Sequence, residues 1–125
     1  PDEARKVFDV TMEARAKAFE LIKPGIRADE VDRKVLSIIE DAGFGKSILH
    51  RTGHGFGITG HEPPWVALGS EHVLTKNMVI SIEPGIYIEG VGGFRHSDTV
   101  LVTDHGCVLL TEYPDSLDEL TLKLP

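Results

Sequence analysis

The sequence predicts an α+β fold in which two helices pack on an antiparallel sheet. Three observations lead there. Apolar residues recur at three- and four-residue steps in the first third of the chain, as on one face of a helix. After Gly43 the pattern gives way to short β-branched runs punctuated by glycine and proline. The two patterns are also segregated, helices first and strands after.

The first helix is expected over residues 3 to 22, where Ala4, Val7, Phe8, Thr11, Ala14, Ala18, Leu21 and Ile22 mark one face. Asp2 suits the N-cap and Glu3 the first turn. Pro24-Gly25 stops the helix. A second helix is expected over residues 28 to 42, with Val31, Val35, Ile38 and Ile39 as its stripe. Asp29 and Glu30 open it and Gly43 ends it. `MVISIE` (78 to 83), `GIYIE` (85 to 89) and `DTVLVT` (98 to 103) read as strands. `GVGG` (90 to 93) reads as a turn, and `DHG` (104 to 106) as the turn of a hairpin into `CVLLT`.

Composition narrows the functional classes. With 125 residues, 41% of them hydrophobic, the chain is an ordinary globular length for one domain or part of one. A net charge of -7 argues against nucleic acid as a partner, because phosphate wants a basic face. No apolar run approaches the roughly 20 residues of a membrane span, so no membrane is expected. Cys107 is the single cysteine, which excludes an internal disulfide and fits a cytoplasmic location. `PDEARKVF` opens directly on a helix, so the chain reads as a piece of a longer protein.

The stretch `HRTGHGFGITGHEPP`, residues 50 to 64, sets three histidines among glycines. Glycines at 53, 55, 57 and 60 remove bulk near His54 and let backbone or ligand approach closely. Pro63 and Pro64 fix an extended path beyond His61 and Glu62. Phe56 and Trp65 suit either the core or the walls of an apolar pocket. Glu83 ends the apolar run `MVISI`, where a carboxylate is costly unless paired, protonated or bound to a cation. His54, His61 and Glu83 offer imidazole nitrogen and carboxylate oxygen. That set suits zinc, manganese or iron, and equally suits metal-free acid–base chemistry.

`TGHGFGITGHEPP`, `VISIEPGIYI` and `GGFRHSDTVLVT` resemble the `TGHGIG…HEPP`, `TIEPGIY` and `GGVRIEDTVLVT` blocks of the pita-bread metallopeptidases. That family includes Xaa-Pro dipeptidase, Xaa-Pro aminopeptidase and methionine aminopeptidase, and `HEPPW` with `EPGIYI` is most similar to its proline-specific branch. The resemblance implies the C-terminal half of a pita-bread catalytic domain over residues 1–125. It implies two divalent metal ions (manganese, cobalt or zinc) held by two aspartates, one histidine and two glutamates. By motif, His54 would be the histidine ligand and Glu83 the first glutamate ligand. His61 would contact the substrate or the developing oxyanion, with His50 and Arg95 near the substrate.

Two departures accompany the match. The family's two aspartates lie before the first helix, so they fall outside this chain. The second glutamate's place in `RIEDTV` is taken by Ser97, whose hydroxyl is short and neutral. His96 and Asp98 share the opposite strand face and cannot replace it without a bulge. The resemblance therefore implies hydrolysis of short Xaa-Pro peptides by the complete protein, and an inactive isolated chain without bound metal. Two alternatives stay open: a metal-free hydrolase like creatinase, acting on an amide or guanidinium substrate, and a binding module that kept the cleft for a peptide or amine without the chemistry. Relatives often dimerise, so a homodimer is a further expectation.

Overall fold

The structure, a computed structural model, describes residues 2–123. Helix α1 spans Asp2–Leu21 and α2 spans Ala28–Asp41, and the two pack against each other. Asp2 is a helical residue of the first turn rather than the cap expected from its type; its carboxylate still favours the positive helix end there. The expected face of α1 is buried through Val7, Thr11, Ala14 and Ala18, with Val10 added to it. Thr11 is tolerated inside because its hydroxyl donates to the Val7 carbonyl at 2.9 Å. Gly25 turns the chain with φ +93°, a left-handed conformation that needs glycine.

At the start of α2 the Glu30 carboxylate accepts the Arg27 N–H at 3.1 Å, the return half of a capping box. Val31, Val35 and Ile39 point into the core as their spacing predicts. Asp29 and Asp32 are buried too, because each has a partner. Asp29 pairs with Arg27 at 3.0 Å. Asp32 accepts the Thr52 N–H at 2.9 Å, which ties α2 to the chain entering the histidine segment.

Seven strands follow among the described residues: β1 Gly53–Gly55, β2 Glu62–Val66, β3 Val79–Ile82, β4 Gly85–Ile88, β5 Gly92–Arg95, β6 Asp98–Val102 and β7 Cys107–Leu109. Five form an antiparallel sheet in the order β2-β1-β3-β6-β7, and β4 and β5 form a separate hairpin. The `GVGG` turn is narrower than expected. Gly92 and Gly93 already belong to β5, opposite Ile88 and Tyr87, and the reversal is carried by Gly90 at φ +77°. The `DHG` hairpin is formed, with Val102 opposite Cys107. A short helix, α3 (Leu117–Leu120), is the last element of the described chain.

β3 lies inside the sheet, and Ile80, Ser81 and Ile82 are all buried. Its side chains are covered on both faces, so it reads as a continuous apolar run rather than an alternation. The core joins Val7, Ile22, Val31, Val35 and Ile39 of the helical layer to Val66, Ile80, Ile82, Val100 and Val102 of the sheet. Among the described residues no helix is long and apolar enough to cross a membrane.

Candidate active site

One strand and three connecting segments bring four predicted residues together. His54 is the middle residue of β1, and Glu83 follows the last residue of β3. Ser97 lies between β5 and β6, and His61 closes the loop that enters β2. Gly53 makes this possible: a Cβ there would stand 1.9 Å from the Ser81 carbonyl oxygen, so only glycine lets β1 lie this close to β3. Gly55 is pressed likewise against the Pro63 carbonyl. The glycines beside His54 thus make room for neighbouring backbone. Phe56 forms a wall, edge-on to His54 at 4.9 Å between ring centres. Trp65 is half-buried and lies under the Arg51 guanidinium at 4.5 Å.

His54 is buried, and its Nδ1 lies 3.0 Å from the Gly55 carbonyl oxygen. A carbonyl only accepts, so this bond puts a proton on Nδ1 and leaves the Nε2 lone pair facing outward. Facing it, at 3.4 Å, is Glu83 Oε1. Two acceptors so placed repel unless a proton or a cation lies between them. The spacing suits a cation. Two ligands with bonds of about 2.1 Å to a tetrahedral ion stand roughly 3.4 Å apart. The other oxygen, Glu83 Oε2, accepts a long hydrogen bond from the Ser97 hydroxyl at 3.4 Å. His61 is exposed, with its ring centre 4.0 Å from that of His54. Among the described residues, no group of three or more His, Cys, Asp or Glu side chains is placed to hold a metal ion. His54 and Glu83 fit one edge of a coordination shell, and further ligands would have to come from elsewhere.

His50 belongs to an adjoining pair. Its Nδ1 lies 2.8 Å from the Arg51 carbonyl oxygen and its Nε2 lies 2.8 Å from the Tyr87 hydroxyl. The first contact places the proton on Nδ1, so Nε2 accepts from the tyrosine. Both groups crowd Gly85, where a Cβ would meet His50 Nε2 at 2.7 Å. Composition and motif spacing give Tyr87 no prominence in the sequence. The available signal is parity, since Glu83, Gly85 and Tyr87 alternate along an extended path. Arg95 is exposed on β5 opposite Gly85 and borders a cavity lined also by Phe8, Met12, Phe94 and His96.

His96 and Asp98 lie on the other face, as strand alternation requires. Asp98 is buried under α1, where Arg15 Nη2 donates to it at 3.2 Å and the Thr111 hydroxyl at 2.9 Å. Burial opposes the charge on Arg15, but the Asp98 carboxylate outweighs this and holds the guanidinium pKa above its usual value. His96 stacks on Tyr113 at 4.7 Å, and its Nε2 is buried without a hydrogen-bond partner. Burial first, and then the Arg15 charge, push the His96 pKa down. Tyr113 donates its hydroxyl to the Ser97 carbonyl, so the backbone presenting Ser97 is anchored from behind.

The model of metallopeptidase family M24 matches residues 1–104. The chain belongs to metallopeptidase family M24. Its fold is the pita-bread fold of that family. The Xaa-Pro dipeptidase of Pyrococcus horikoshii is 45% identical over 113 residues, covering 90% of this chain and 32% of the relative. The Xaa-Pro dipeptidase of Pyrococcus furiosus is 42% identical over 111 residues, covering 89% of this chain and 32% of the relative. Among solved structures, the prolidase from Pyrococcus horikoshii matches with a TM-score of 0.89 and 42% identity, over 91% of this chain and 33% of that one. The Xaa-Pro dipeptidase from Bacillus anthracis matches with a TM-score of 0.90 and 36% identity, over 94% of this chain and 33% of that one. The M24 chain thus spans about a third of the length of these relatives.

Proposed function

We propose that the protein carrying this chain is a peptidase of the Xaa-Pro dipeptidase type, and that residues 1–125 are the C-terminal part of its catalytic domain. The observation that carries the reading is the His54 Nε2 lone pair facing Glu83 Oε1 across 3.4 Å, with the His61 ring beside it. In an M24 chain this edge suits a divalent ion such as manganese, cobalt or zinc, completed by ligands from outside residues 1–125. When bound there, the ion supplies a polarised carbonyl and a water acidic enough to attack it. The chain's own residues set the stage. The Gly55 carbonyl holds the His54 tautomer, which keeps Nε2 a lone-pair donor. Exposed His61 can donate to the oxygen that gains charge in the tetrahedral intermediate. His50 and Tyr87 form a hydrogen-bonded rim past Glu83, suited with Arg95 to bind the ends of a short peptide.

Ser97 favours a second reading. With a hydroxyl rather than a carboxylate beside Glu83 Oε2, one shared proton between His54 and Glu83 also satisfies the site. A metal-free hydrolase of the creatinase type would use His54 or His61 as its proton carrier. Two measurements on the full-length protein separate the readings. Turnover of Xaa-Pro dipeptides with added manganese, cobalt or zinc is expected, together with near-stoichiometric metal after dialysis. Absence of turnover with every metal would overturn the peptidase proposal; turnover of another amide without metal would establish the second. Ligand-dependent thermal stabilisation without any product would instead identify a binding module.

A further inference from the structure

We infer that Glu62 is a positioning residue for His61: its carboxylate cinches the loop between β1 and β2 and fixes where the His61 imidazole stands beside His54. The inference deepens the peptidase proposal and rests on it only for the effect on turnover. Residues 56–61 are exposed, and Ile58 at 104% exposure buries nothing that would hold the segment down. A loop with few packed contacts stays put only through local bonds. The Phe56 N–H donates to the Val79 carbonyl at 3.0 Å, and beyond it the bonds centre on one carboxylate. Glu62 Oε2 accepts the Thr59 backbone N–H at 3.1 Å. The Thr59 hydroxyl lies 3.0 Å from the same oxygen and 3.1 Å from the His61 carbonyl oxygen, so its single proton serves either acceptor. The Gly57 N–H donates to the Thr59 carbonyl at 3.2 Å.

The other carboxylate oxygen occupies space. A Cβ on Gly57 would stand 1.9 Å from Glu62 Oε1 and 2.6 Å from its carboxyl carbon. A side chain at position 57 would therefore displace the Glu62 carboxylate from the loop, whereas a Cβ on Gly60 would meet nothing within 4 Å. Glu62 is itself anchored at the start of β2, opposite Gly55. Gly57 lies just two residues beyond Gly55, so the carboxylate spans the mouth of the loop from one strand end to the other. His61 is the residue whose carbonyl and following peptide the cinch grips. Its ring position relative to His54 is then set by Glu62 without contact between Glu62 and the reacting atoms.

The experiment uses the full-length protein with Glu62→Ala, Glu62→Gln, Gly57→Ala and the Gly57→Ala/Glu62→Ala double variant. Amide hydrogen exchange over residues 56–62 and the ring resonances of His54 and His61 are read alongside kcat and KM on an Xaa-Pro dipeptide. Glu62→Ala should speed Thr59 amide exchange about 10-fold, as expected for losing a bond to a charged acceptor. It should shift the His61 ring signals and lower kcat more than it changes KM. Glu62→Gln keeps a carbonyl acceptor of the same length and should recover most of the loss. Gly57→Ala should reproduce Glu62→Ala and add nothing to it, because the clash vanishes with the carboxylate. Unchanged exchange and ring signals in Glu62→Ala, or an equal Gly57→Ala effect in both backgrounds, would overturn the inference. Complete lack of Xaa-Pro turnover in the unmutated protein would count against the peptidase proposal, and the exchange and ring readouts would still decide the role of Glu62.

Discussion

At Glu83 the two carboxylate oxygens serve different neighbours, Oε1 toward His54 Nε2 and Oε2 toward the Ser97 hydroxyl. Ser97 is therefore a lever on metal affinity. Ser97→Glu in the full-length protein would add an anionic oxygen beside the His54–Glu83 pair, and on the metal-dependent proposal it should raise the metal retained per chain after dialysis. Ser97→Ala, which removes a long and weak bond, should leave that figure unchanged; elemental analysis of both variants is the check. His61 should behave differently from His54. His61→Ala is expected to reduce turnover by roughly 10²–10³-fold, the scale of one lost oxyanion donor, with metal content preserved. His54→Ala should lower both together. The convergence of His54, His61, Glu83 and Ser97 could be anticipated because each sits inside a dense local motif. Tyr87 could not, because its importance depends on His50, a residue 37 positions earlier in the chain, and on the missing Cβ of Gly85.

Helix and strand positions were readable for the same reason that the core is simple. Val31, Val35 and Ile39 repeat with the helical period, and `DTVLVT` alternates buried and half-buried residues along β6. Periodicity does not reveal which polar residue is drawn inside. Asp98 looks like a strand-end carboxylate, yet it lies 1% exposed against Arg15, a residue 83 positions away on α1. Removing one partner of such a buried pair leaves the other charge without compensation. Arg15→Ala should cost about 3–5 kcal/mol, measured by denaturant unfolding. His96 adds a pH term to the same junction. Its pKa is lowered in the folded state, so on acidification the unfolded chain takes up this proton first. The associated stability is complete above the unfolded value near 6.5 and is lost as pH falls through the lower folded one. Unfolding midpoints at successive pH values should decline below about pH 6.5, and a His96→Gln variant should show a shallower decline.

Across the whole molecule, the helical layer and the sheet share one core, but among the described residues no third His, Cys, Asp or Glu joins His54 and Glu83 to hold a metal ion. The isolated 125-residue chain is accordingly expected to turn over no Xaa-Pro dipeptide with any added metal. Leu49 at 72%, Ile58 at 104% and Leu68 at 54% exposure should also make it self-associate with concentration. Sedimentation velocity over a hundred-fold concentration range is the check. The Arg15–Asp98 bridge has a reach beyond folding energy. Through Arg15, α1 holds down the far side of the ribbon that displays Ser97. A random screen for dead variants would therefore return hits in the buried junction between α1 and β6, 83 positions apart in the chain, with nothing at the surface to mark them.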